Sequence, residues 1–384
     1  MRLLHTSDWH LGRSFHGVGM LAAQRRFAAQ LLDTVEREEV DVVLLAGDVY
    51  DRALPGVDVV ALLDEVLAAL STRGVAVVLT SGNHDSATRL GFAGRVMEAA
   101  GIHLRTRIAD LDAPVVLDLD GAQLAIYGLP YLEPRLVAEA LDVAEPSHFS
   151  VTEAALARVR ADLATRPAGT QSVVLAHTFA SGGISSASER ELSIGGVGAV
   201  PLDLFDGFTY TALGHLHGRQ TLAERVRYSG SPLPYSFSEA HHAKGAWLVE
   251  LDGGGLRSVA AVDWPAGRPL AVLRGRLEDL LSAEEHAWAE AAYCQITLTD
   301  DERPAQAMER LRGRFPDTLV LGFEPENAKD KAQQNYSQRV AGAADEVELC
   351  CGFLEHVRSR GASEAEEAAL ARAIEAARAL EAAL

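Results

Sequence analysis

"DVVLLAGDVYD", residues 41–51, is the stretch that decides the fold. It begins with a run of apolar residues, Val42 to Ala46, and then changes to a glycine followed by the carboxylates Asp48 and Asp51. A short, uninterrupted apolar run of this kind predicts a strand that is buried on both faces, as in a parallel sheet covered by helices. Polar residues directly after such a strand lie at its carboxyl end, where α/β proteins place their sites.

The same pattern recurs on both sides of this stretch, with helical periodicity in between. "MRLLHTSD" (1–8) and "VAVVLTSGNHD" (75–85) predict further strands that end in polar residues. Helices are predicted for "LAAQRRFAAQLLDTVEREEV" (21–40), "VDVVALLDEVLAALSTRG" (57–74) and "RLGFAGRVMEAAG" (89–101). This β-α-β-α-β order indicates an α/β domain whose sheet is covered on both faces.

Strands dominate from about residue 114 to 265, with one helical interruption at 151–166. This favours a four-layer α/β/β/α sandwich over a doubly wound sheet. Proline and glycine in "DWPAGRPL" (263–270) indicate a linker. We therefore predict three parts: an α/β/β/α domain at 1–265, a small α+β domain at 266–328, and C-terminal helices at 329–384.

The composition excludes some classes of protein. A formal net charge of −19 argues against a uniformly basic protein that coats nucleic acid, although it permits a local basic groove. The three cysteines include no CxxC pair and indicate no disulfide framework. Polar residues appear by position 5, and no apolar run approaches about 18 residues, so we expect a soluble, cytoplasmic protein without signal peptide or membrane span.

Aspartate, asparagine and histidine side chains, which can bind metals or transfer protons, recur where the predicted strands end. They are Asp8 and His10 in "SDWH", Asp48 and Asp51 in "LLAGDVYD", Asn83, His84 and Asp85 in "LTSGNHD", His177 in "LAHT", and His215 and His217 in "LGHLH". The carboxyl ends of strands line one crevice in an open α/β sheet, so we expect these groups to converge. Gly47, Gly82 and Gly214 each precede one of them, which lets the chain bend and approach an ion closely.

The types of these side chains indicate a metal site. Imidazole, carboxylate and carboxamide groups without a thiolate suit Mn²⁺, Fe²⁺, Zn²⁺ or Mg²⁺ and disfavour a structural zinc site of the cysteine type. There are enough of them for two ions, and a pair of ions requires at least one bridging carboxylate. Such pairs serve phosphoryl and hydrolytic chemistry.

The order D-x-H, GD-x-x-D, GNHD, a histidine after a strand, and GH-x-H resembles the calcineurin-like metallophosphoesterases. Five longer stretches resemble the SbcD nucleases within that family. They are "HTSDWHLGRSFHG" (5–17), "LLAGDVYDRALP" (44–55), "SGNHDS" (81–86), "YTALGHLHGRQ" (210–220) and "YSGSPLPYSFSE" (228–239). The resemblance covers roughly residues 1–250 strongly and the remainder by architecture only.

The resemblance implies two divalent ions, with manganese as the expected metal. One ion would be bound by Asp8, His10, Asp48 and His217. The other would be bound by Asp48, Asn83, His177 and His215, which makes Asp48 the bridge. Together the ions would activate a water molecule for attack on the scissile phosphorus and neutralise charge on its oxygens.

The resemblance also implies roles for residues beside the ligands. His84 would contact the phosphate or protonate the leaving 3′ oxygen, and Asp51 would orient His84. A related archaeal branch carries histidine at the position of Asp51, and Asp51 could instead cap the following helix. Contacts to DNA phosphates are expected from four residues that could equally be ordinary surface charges: Arg13, His16, Arg52 and Arg89.

The implied function is a metal-dependent DNA exonuclease and endonuclease that acts at double-strand ends and hairpins in DNA repair, recombination and replication, at the nucleoid. Its implied partner is an SbcC-like coiled-coil ATPase, with "DEVELCCGFLEHV" (345–357) as the docking stretch unless it packs on its own domain. Family members form homodimers, here through "VDVVALLDEVL" (57–67) and "LGFAGRVMEAA" (90–100), which could instead serve only the core.

Two alternative functions follow from the same residues. One is a different metallophosphoesterase that acts on nucleotides or phosphoproteins. The other is a non-catalytic scaffold, which predicts missing ligands, whereas the full expected ligand set is present.

Overall fold

The computed structural model describes residues 1–119, 121–187, 198–265, 267–326, 345–358 and 360–381. The chain divides into two compact units. The first comprises Met1–Val272 and Trp288–Gln295, and the second comprises Leu273–Ala287 and Ile296–Leu384. Among the described residues, no helix has both the length and the apolar character needed to cross a membrane.

The strands are numbered in chain order. They are β1 (Arg2–Thr6), β2 (Ser14–Phe15), β3 (Val18–Gly19), β4 (Val42–Ala46), β5 (Ala76–Thr80), β6 (Ile102–Arg105), β7 (Val115–Leu119), β8 (Ala122–Leu129), β9 (Gln171–His177), β10 (Tyr210–Gly214), β11 (Gln220–Ala223), β12 (Val226–Tyr228), β13 (Gly245–Asp252), β14 (Gly255–Asp263), β15 (Leu270–Gly275), β16 (Tyr293–Leu298) and β17 (Thr318–Phe323). Most of them form two six-stranded sheets, with orders β14-β13-β1-β4-β5-β6 and β11-β12-β10-β9-β8-β7.

The α-helices are also numbered in chain order. They are α1 (Leu21–Arg37), α2 (Val57–Thr72), α3 (Ala87–Leu90), α4 (Gly94–Met97), α5 (Pro134–Val137), α6 (His148–Leu163), α7 (Leu277–Ser282), α8 (Ala307–Arg314), α9 (Glu346–Arg358) and α10 (Glu364–Glu381). Short 3₁₀ helices occur at Glu98–Ala100, Ile108–Asp110, Leu202–Phe205, Phe237–Glu239 and Glu284–Ala291.

The two large sheets pack face to face. Their inner faces share one apolar core, to which Leu44 and Val78 contribute from the first sheet and Leu175 and Ala212 from the second. On its other face, the second sheet packs on α6, and α2 contacts β5 of the first sheet while α1 contacts α2. All residues of β4 are buried, as a strand covered on both faces requires. The predicted α/β/β/α sandwich is confirmed.

The second unit contains most of the three-stranded sheet β15-β16-β17. Helix α8 packs against β17 and α7, and its Leu311 is fully buried together with Phe315. The C-terminal helices α9 and α10 contact each other. Glu366 near the start of α10 accepts hydrogen bonds from Arg358 at 2.9 Å and Arg360 at 3.0 Å.

The single helix predicted for 89–101 is wrong, because the structure has three short helical turns in that stretch. The chain breaks at Ala93, whose φ is 58°, in the left-handed region that an α-helix does not use. Gly91 packs so closely against Thr106 that a side chain there would overlap the hydroxyl group. The left-handed conformation of Ala93 and the close packing of Gly91 against Thr106 therefore outweigh the helical periodicity of the sequence.

The two sheets approach each other most closely at the carboxyl ends of β4 and β10. A Cβ atom on Gly214 would overlap the carbonyl oxygen of Ala46, and one on Gly47 would overlap the ring of His177. Slightly upstream, the buried His5 ring joins the sheets. It lies 2.9 Å from the Tyr210 hydroxyl and 3.1 Å from the Leu213 carbonyl oxygen. At Gly214 and Ala46 the main chains of the two sheets are in contact, with no room for a side chain at position 214.

We expect Gly214→Ala to lower the free energy of unfolding by about 3 kcal/mol, because the added methyl group forces the sheet ends apart. Urea unfolding in the presence of a chelator measures this effect without any contribution from bound metal. Gly19→Ala is the matched control, since a Cβ there meets no atom within 4 Å, and it should change the stability by less than about 0.5 kcal/mol. Equal stabilities for the two variants would contradict the close approach.

Candidate metal centre

The predicted ligands follow five strands that belong to two different sheets. Asp8 and His10 come after β1, Asp48 after β4, and Asn83 after β5, all in the first sheet. The second sheet contributes three histidines: His177 at the end of β9, and His215 and His217 after β10. The expectation of a crevice along one sheet is therefore corrected. The crevice lies between two sheets whose carboxyl ends meet.

One group of donor atoms consists of Asp8, His10 and His217. One donor atom of each lies within 4.8 Å of the others, and the two Nε2 atoms of His10 and His217 are 3.1 Å apart. The Nδ1 atom of His217 lies 3.2 Å from Oε1 of Glu239. Because a carboxylate only accepts, Nδ1 of His217 carries the proton and its Nε2 lone pair is directed at His10.

A second group consists of Asn83, His177 and His215. The side-chain oxygen of Asn83 is 3.0 Å from Nε2 of His177 and 3.2 Å from Nδ1 of His215. Nδ1–H of His177 donates to the carbonyl oxygen of Ala46 at 2.9 Å, which leaves Nε2 as the nitrogen that faces Asn83. His215 lies in this group and His217 in the other, and both follow Gly214, the last residue of β10. The assignment of the two histidines to different ions stays a prediction.

Asp48 lies between the two groups. Its Oδ2 is 3.5 Å from Nε2 of His10 and 3.4 Å from Nε2 of His177. Its Oδ1 accepts the main-chain N–H of His84 at 2.9 Å, so the orientation of the carboxylate is fixed. One carboxylate that faces both groups has the position of a bridging ligand in a two-metal site.

Several of these residues have strained backbones. Asp8, His10 and Asp48 have φ values of 53°, 42° and 50°, and His215 has 110°, all in the region that glycine favours. Main-chain hydrogen bonds hold the conformations, since Asp8 N–H donates to Gly47 and His10 N–H donates to Asp48, both at 3.0 Å. Such strain concentrates at functional sites.

Burial and neighbouring charges shift the titration of the site. Burial raises the pKa of Asp8 to about 6 and lowers the pKa of His215 to about 3. It also lowers the pKa of His10 well below its usual range. Burial alone would lower the pKa of His177, but the adjacent Asp48 raises it to about 9. His10 and His215 are therefore neutral at neutral pH, as metal ligands must be.

The donor set fits two divalent cations. The facing Nε2 atoms of His10 and His217 lie beside Asp8, and a buried carboxylate needs a compensating positive charge. Nitrogen and oxygen donors without sulfur suit Mn²⁺, Fe²⁺, Zn²⁺ or Mg²⁺. The assignment of seven side chains as ligands stays a prediction.

His84 and Asp51 contact each other, but through the main chain of Asp51. Nδ1–H of His84 donates to the carbonyl oxygen of Asp51 at 3.0 Å. The Asp51 carboxylate instead lies 3.6 Å from Nδ1 of His10 and is flanked by Arg13 at 3.5 Å and Arg52 at 3.6 Å. The side chain of Asp51 therefore does not orient His84, because the two arginines and His10 surround it.

The alternative role for Asp51, capping the next helix, is also excluded. Helix α2 begins at Val57 with Gly56 as its N-cap residue and no side-chain cap. The contact with His84 is made by the main-chain carbonyl oxygen of Asp51, which a residue of another type at this position would also offer.

The residues expected to contact DNA lie near the centre in the first unit. The Arg13 guanidinium group lies over the Tyr235 ring at 5.2 Å, and Arg52 is exposed beside Asp51. Arg89 in α3 donates to the carbonyl oxygen of Ala53 at 3.5 Å. His16 connects the short strands β2 and β3, and its ring is 5.0 Å from the Phe237 ring. Binding of DNA by these four residues stays a prediction.

Three residues around the site had no role assigned from the sequence. Asp85 accepts main-chain N–H groups of Val49, Tyr50 and Gly82 at 2.9–3.0 Å and so joins the loops after β4 and β5. Glu239 contacts His217, and Lys244 contacts Glu239. Asp85 and Glu239 lie within motifs that the sequence shows, whereas no sequence signal indicates Lys244.

We expect Asp48→Ala to lose both ions, because a single carboxylate faces both groups of donors. Equilibrium dialysis against Mn²⁺ with elemental analysis should show two bound ions in the parent protein and fewer than one in the variant. Asp33→Ala, at an exposed position of α1, is the control and should keep both ions. Retention of one tight ion in Asp48→Ala would exclude the bridging role.

We also expect Mn²⁺ binding to weaken as the pH falls. In the metal-free protein the pKa of His177 is raised to about 9, so the ring is protonated at pH 8 and must release a proton on binding. Each displaced proton lowers the apparent affinity roughly tenfold per pH unit. Below about pH 6, where the pKa of Asp8 lies, the decrease should steepen. Calorimetry at pH 5, 6, 7 and 8 in two buffers measures the affinity, and a constant affinity would contradict the expectation.

Comparison with known families is consistent with this geometry. Residues 1–218 match the model of the calcineurin-like phosphoesterases, and residues 266–357 match the SbcD_C model, described as the type 5 capsule protein repressor C-terminal domain. Among solved structures, the TT1561 protein of Thermus thermophilus is 13% identical over 68% of this chain and 98% of its own, with a TM-score of 0.41. A dimetal phosphatase from Danio rerio is 12% identical over 69% and 99%, also with 0.41. The chain belongs to the calcineurin-like metallophosphoesterases and, by its C-terminal domain, to their SbcD type.

Proposed function

We propose that this protein is a metal-dependent nuclease that hydrolyses DNA phosphodiester bonds at double-strand ends and hairpins, in DNA repair, recombination and replication. The observation that carries the proposal is the position of Asp48 between two groups of donors, at 3.5 Å from His10 and 3.4 Å from His177. Two divalent ions, with Mn²⁺ as the preferred metal, would activate water and neutralise charge on the phosphate. The proposed place of action is the cytoplasm, at the nucleoid.

His84 is the proposed proton donor to the leaving 3′ oxygen. Its Nδ1–H is used by the carbonyl oxygen of Asp51 at 3.0 Å, so in the imidazolium form Nε2–H would give the proton and the ring would be left neutral with its proton on Nδ1. The ring packs edge-on against His10 at a centroid distance of 4.7 Å and remains partly accessible. Proton transfer by a group held in this way contributes typically 10²–10⁴-fold to a rate.

Arg13 and Arg52 are proposed to bind DNA phosphates next to the metal centre. Both guanidinium groups flank the Asp51 carboxylate, and stacking on Tyr235 limits the motion of Arg13. They place two positively charged groups beside the site in a chain whose net charge is −19. Contacts of this kind position a nucleic acid without reading its sequence.

The C-terminal parts are proposed to control access and assembly. In this proposal, residues 266–328 form a capping domain that restricts which DNA ends enter, and residues 329–384 dock on an SbcC-like coiled-coil ATPase. Leu349, Phe353 and Val357 support the docking, because they are exposed and their spacing of four places them on one face of α9. Residues 329–344 lie outside the described residues.

A homodimer is proposed through the two stretches predicted for it. Val57 at the start of α2 is 88% exposed and Phe92 is 81% exposed. Val60 and Val96 are exposed as well. A dimer would bury these side chains, and exposed apolar side chains that form a contiguous patch mark protein–protein contacts.

A nuclease assay tests the proposal directly. With Mn²⁺, and with an SbcC-like ATPase and ATP, the full chain should cut a DNA hairpin and release nucleotides from a duplex with blocked ends. Chelation of the metal should abolish both activities. Hydrolysis of nucleotides or phosphopeptides with intact DNA would instead assign the protein to the alternative class of metallophosphoesterase.

The same assay separates the role of His84 from that of the ligands. His84→Asn should lower the cleavage rate 10²–10⁴-fold while calorimetry still shows two bound Mn²⁺ ions. His103→Asn, on β6, is the matched control and should cut at the parent rate. Loss of metal binding together with cleavage in His84→Asn would show that His84 is a ligand.

A further inference from the structure

The stretch "YSGSPLPYSFSE" (228–239) ends in a carboxylate that the chemistry described so far does not use. Glu239 is only 1% exposed. Its Oε1 accepts the hydrogen bond from Nδ1–H of His217 at 3.2 Å. Its other oxygen, Oε2, lies 3.5 Å from the Ser231 hydroxyl and forms a short ion pair with Lys244.

Lys244 is the second half of a buried ion pair and has several partners of its own. It is 9% exposed. Besides Glu239, its ammonium group donates to the main-chain carbonyl oxygen of His217 at 2.8 Å and to the Ser231 hydroxyl at 2.9 Å. The pair therefore contacts His217 twice, at the ring through Glu239 and at the backbone through Lys244.

A buried ion pair is a poor source of stability, because apolar residues of similar volume are often as good or better. Its position next to a predicted ligand gives it another use. A carboxylate behind a histidine fixes the tautomer and the ring plane, and it makes the opposite nitrogen a stronger donor. Here the opposite nitrogen is Nε2, which lies 3.1 Å from Nε2 of His10.

The second group of donors is held differently. The Nδ1–H of His177 donates to the neutral carbonyl oxygen of Ala46, whereas the contacts of the Glu239–Lys244 pair described above are with His217 and Ser231. A change at the pair should therefore affect the two ions unequally.

We propose that Glu239 and Lys244 are positioning residues that hold His217 for the ion shared with Asp8 and His10. This inference rests on the proposed two-ion centre. According to this inference, Glu239 and Lys244 raise the affinity of one metal site and do not contact the substrate.

The test uses Glu239→Leu/Lys244→Met in the full chain, because this double variant removes the acceptor for His217 and leaves no unpaired buried charge. Calorimetric titration with Mn²⁺ should show one site weakened about 10–100-fold, as is typical when the support behind a ligand is lost, and the other unchanged. Arg2→Met/Glu250→Leu removes an ion pair of 3.1 Å between the neighbouring strands β1 and β13 and is the control, with both affinities retained.

Two further readouts distinguish positioning from a purely structural role. Thermal unfolding of the metal-free double variant should occur close to the parent temperature. Glu239→Gln/Lys244→Met, which restores an acceptor oxygen, should recover part of the lost affinity. Nitrogen NMR of the histidine rings should show His217 protonated at Nδ1 in the parent and in this second variant, but as a mixture of tautomers in the first.

Parent affinities at both sites in Glu239→Leu/Lys244→Met would overturn the inference, and so would equal weakening of both sites. A parent protein that binds two ions but cuts no DNA would reject the proposed function and leave the positioning role standing. A parent protein that binds no Mn²⁺ would reject both.

Discussion

The close approach of two sheet ends is the constraint on which the rest of the structure depends. Gly214, at the end of β10, packs directly on the carbonyl oxygen of Ala46, at the end of β4. That same oxygen accepts the Nδ1–H of His177. Gly82 packs against Asp48 in the same way. The absence of side chains on Gly214 and Gly82 lets the donors from both sheets meet in one crevice, and the positive φ values of Asp8, His10 and Asp48 follow from turning the chain within so little space.

This constraint also explains the electrostatics of the site. Carboxylates and imidazoles that converge between two sheets lose their water, so burial raises the pKa of Asp8 and lowers those of His10 and His215. In the metal-free protein the His177 ring, whose pKa Asp48 raises to about 9, supplies part of the compensating positive charge, and divalent ions would supply more. The groups that accept the Nδ1–H of the two histidines differ. His217 donates to Glu239, which belongs to a buried ion pair, and His177 donates to the neutral carbonyl oxygen of Ala46. Two ions bound here would differ in affinity although Asp48 faces both groups.

The local pattern of the sequence predicted much of this. The apolar run of β4, its abrupt polar end and the five polar strand ends identified the sandwich and the side chains that the structure brings together. The order of the strands within each of the two sheets was not predictable, because it depends on contacts between residues far apart in sequence. The break at Ala93 and the surroundings of the Asp51 carboxylate depend on similar contacts. A role for Lys244 was not predictable either, because a single lysine in a sequence does not indicate which buried carboxylate it will pair with.

Anomalous diffraction at the manganese edge, from crystals of the full chain grown with Mn²⁺, tests the central claim most directly. The account predicts two peaks about 3.5–4 Å apart. One should lie against Asp8, His10 and His217, the other against Asn83, His177 and His215, with the Asp48 carboxylate between them. A single peak, or two peaks with His215 and His217 bound to the same ion, would contradict it.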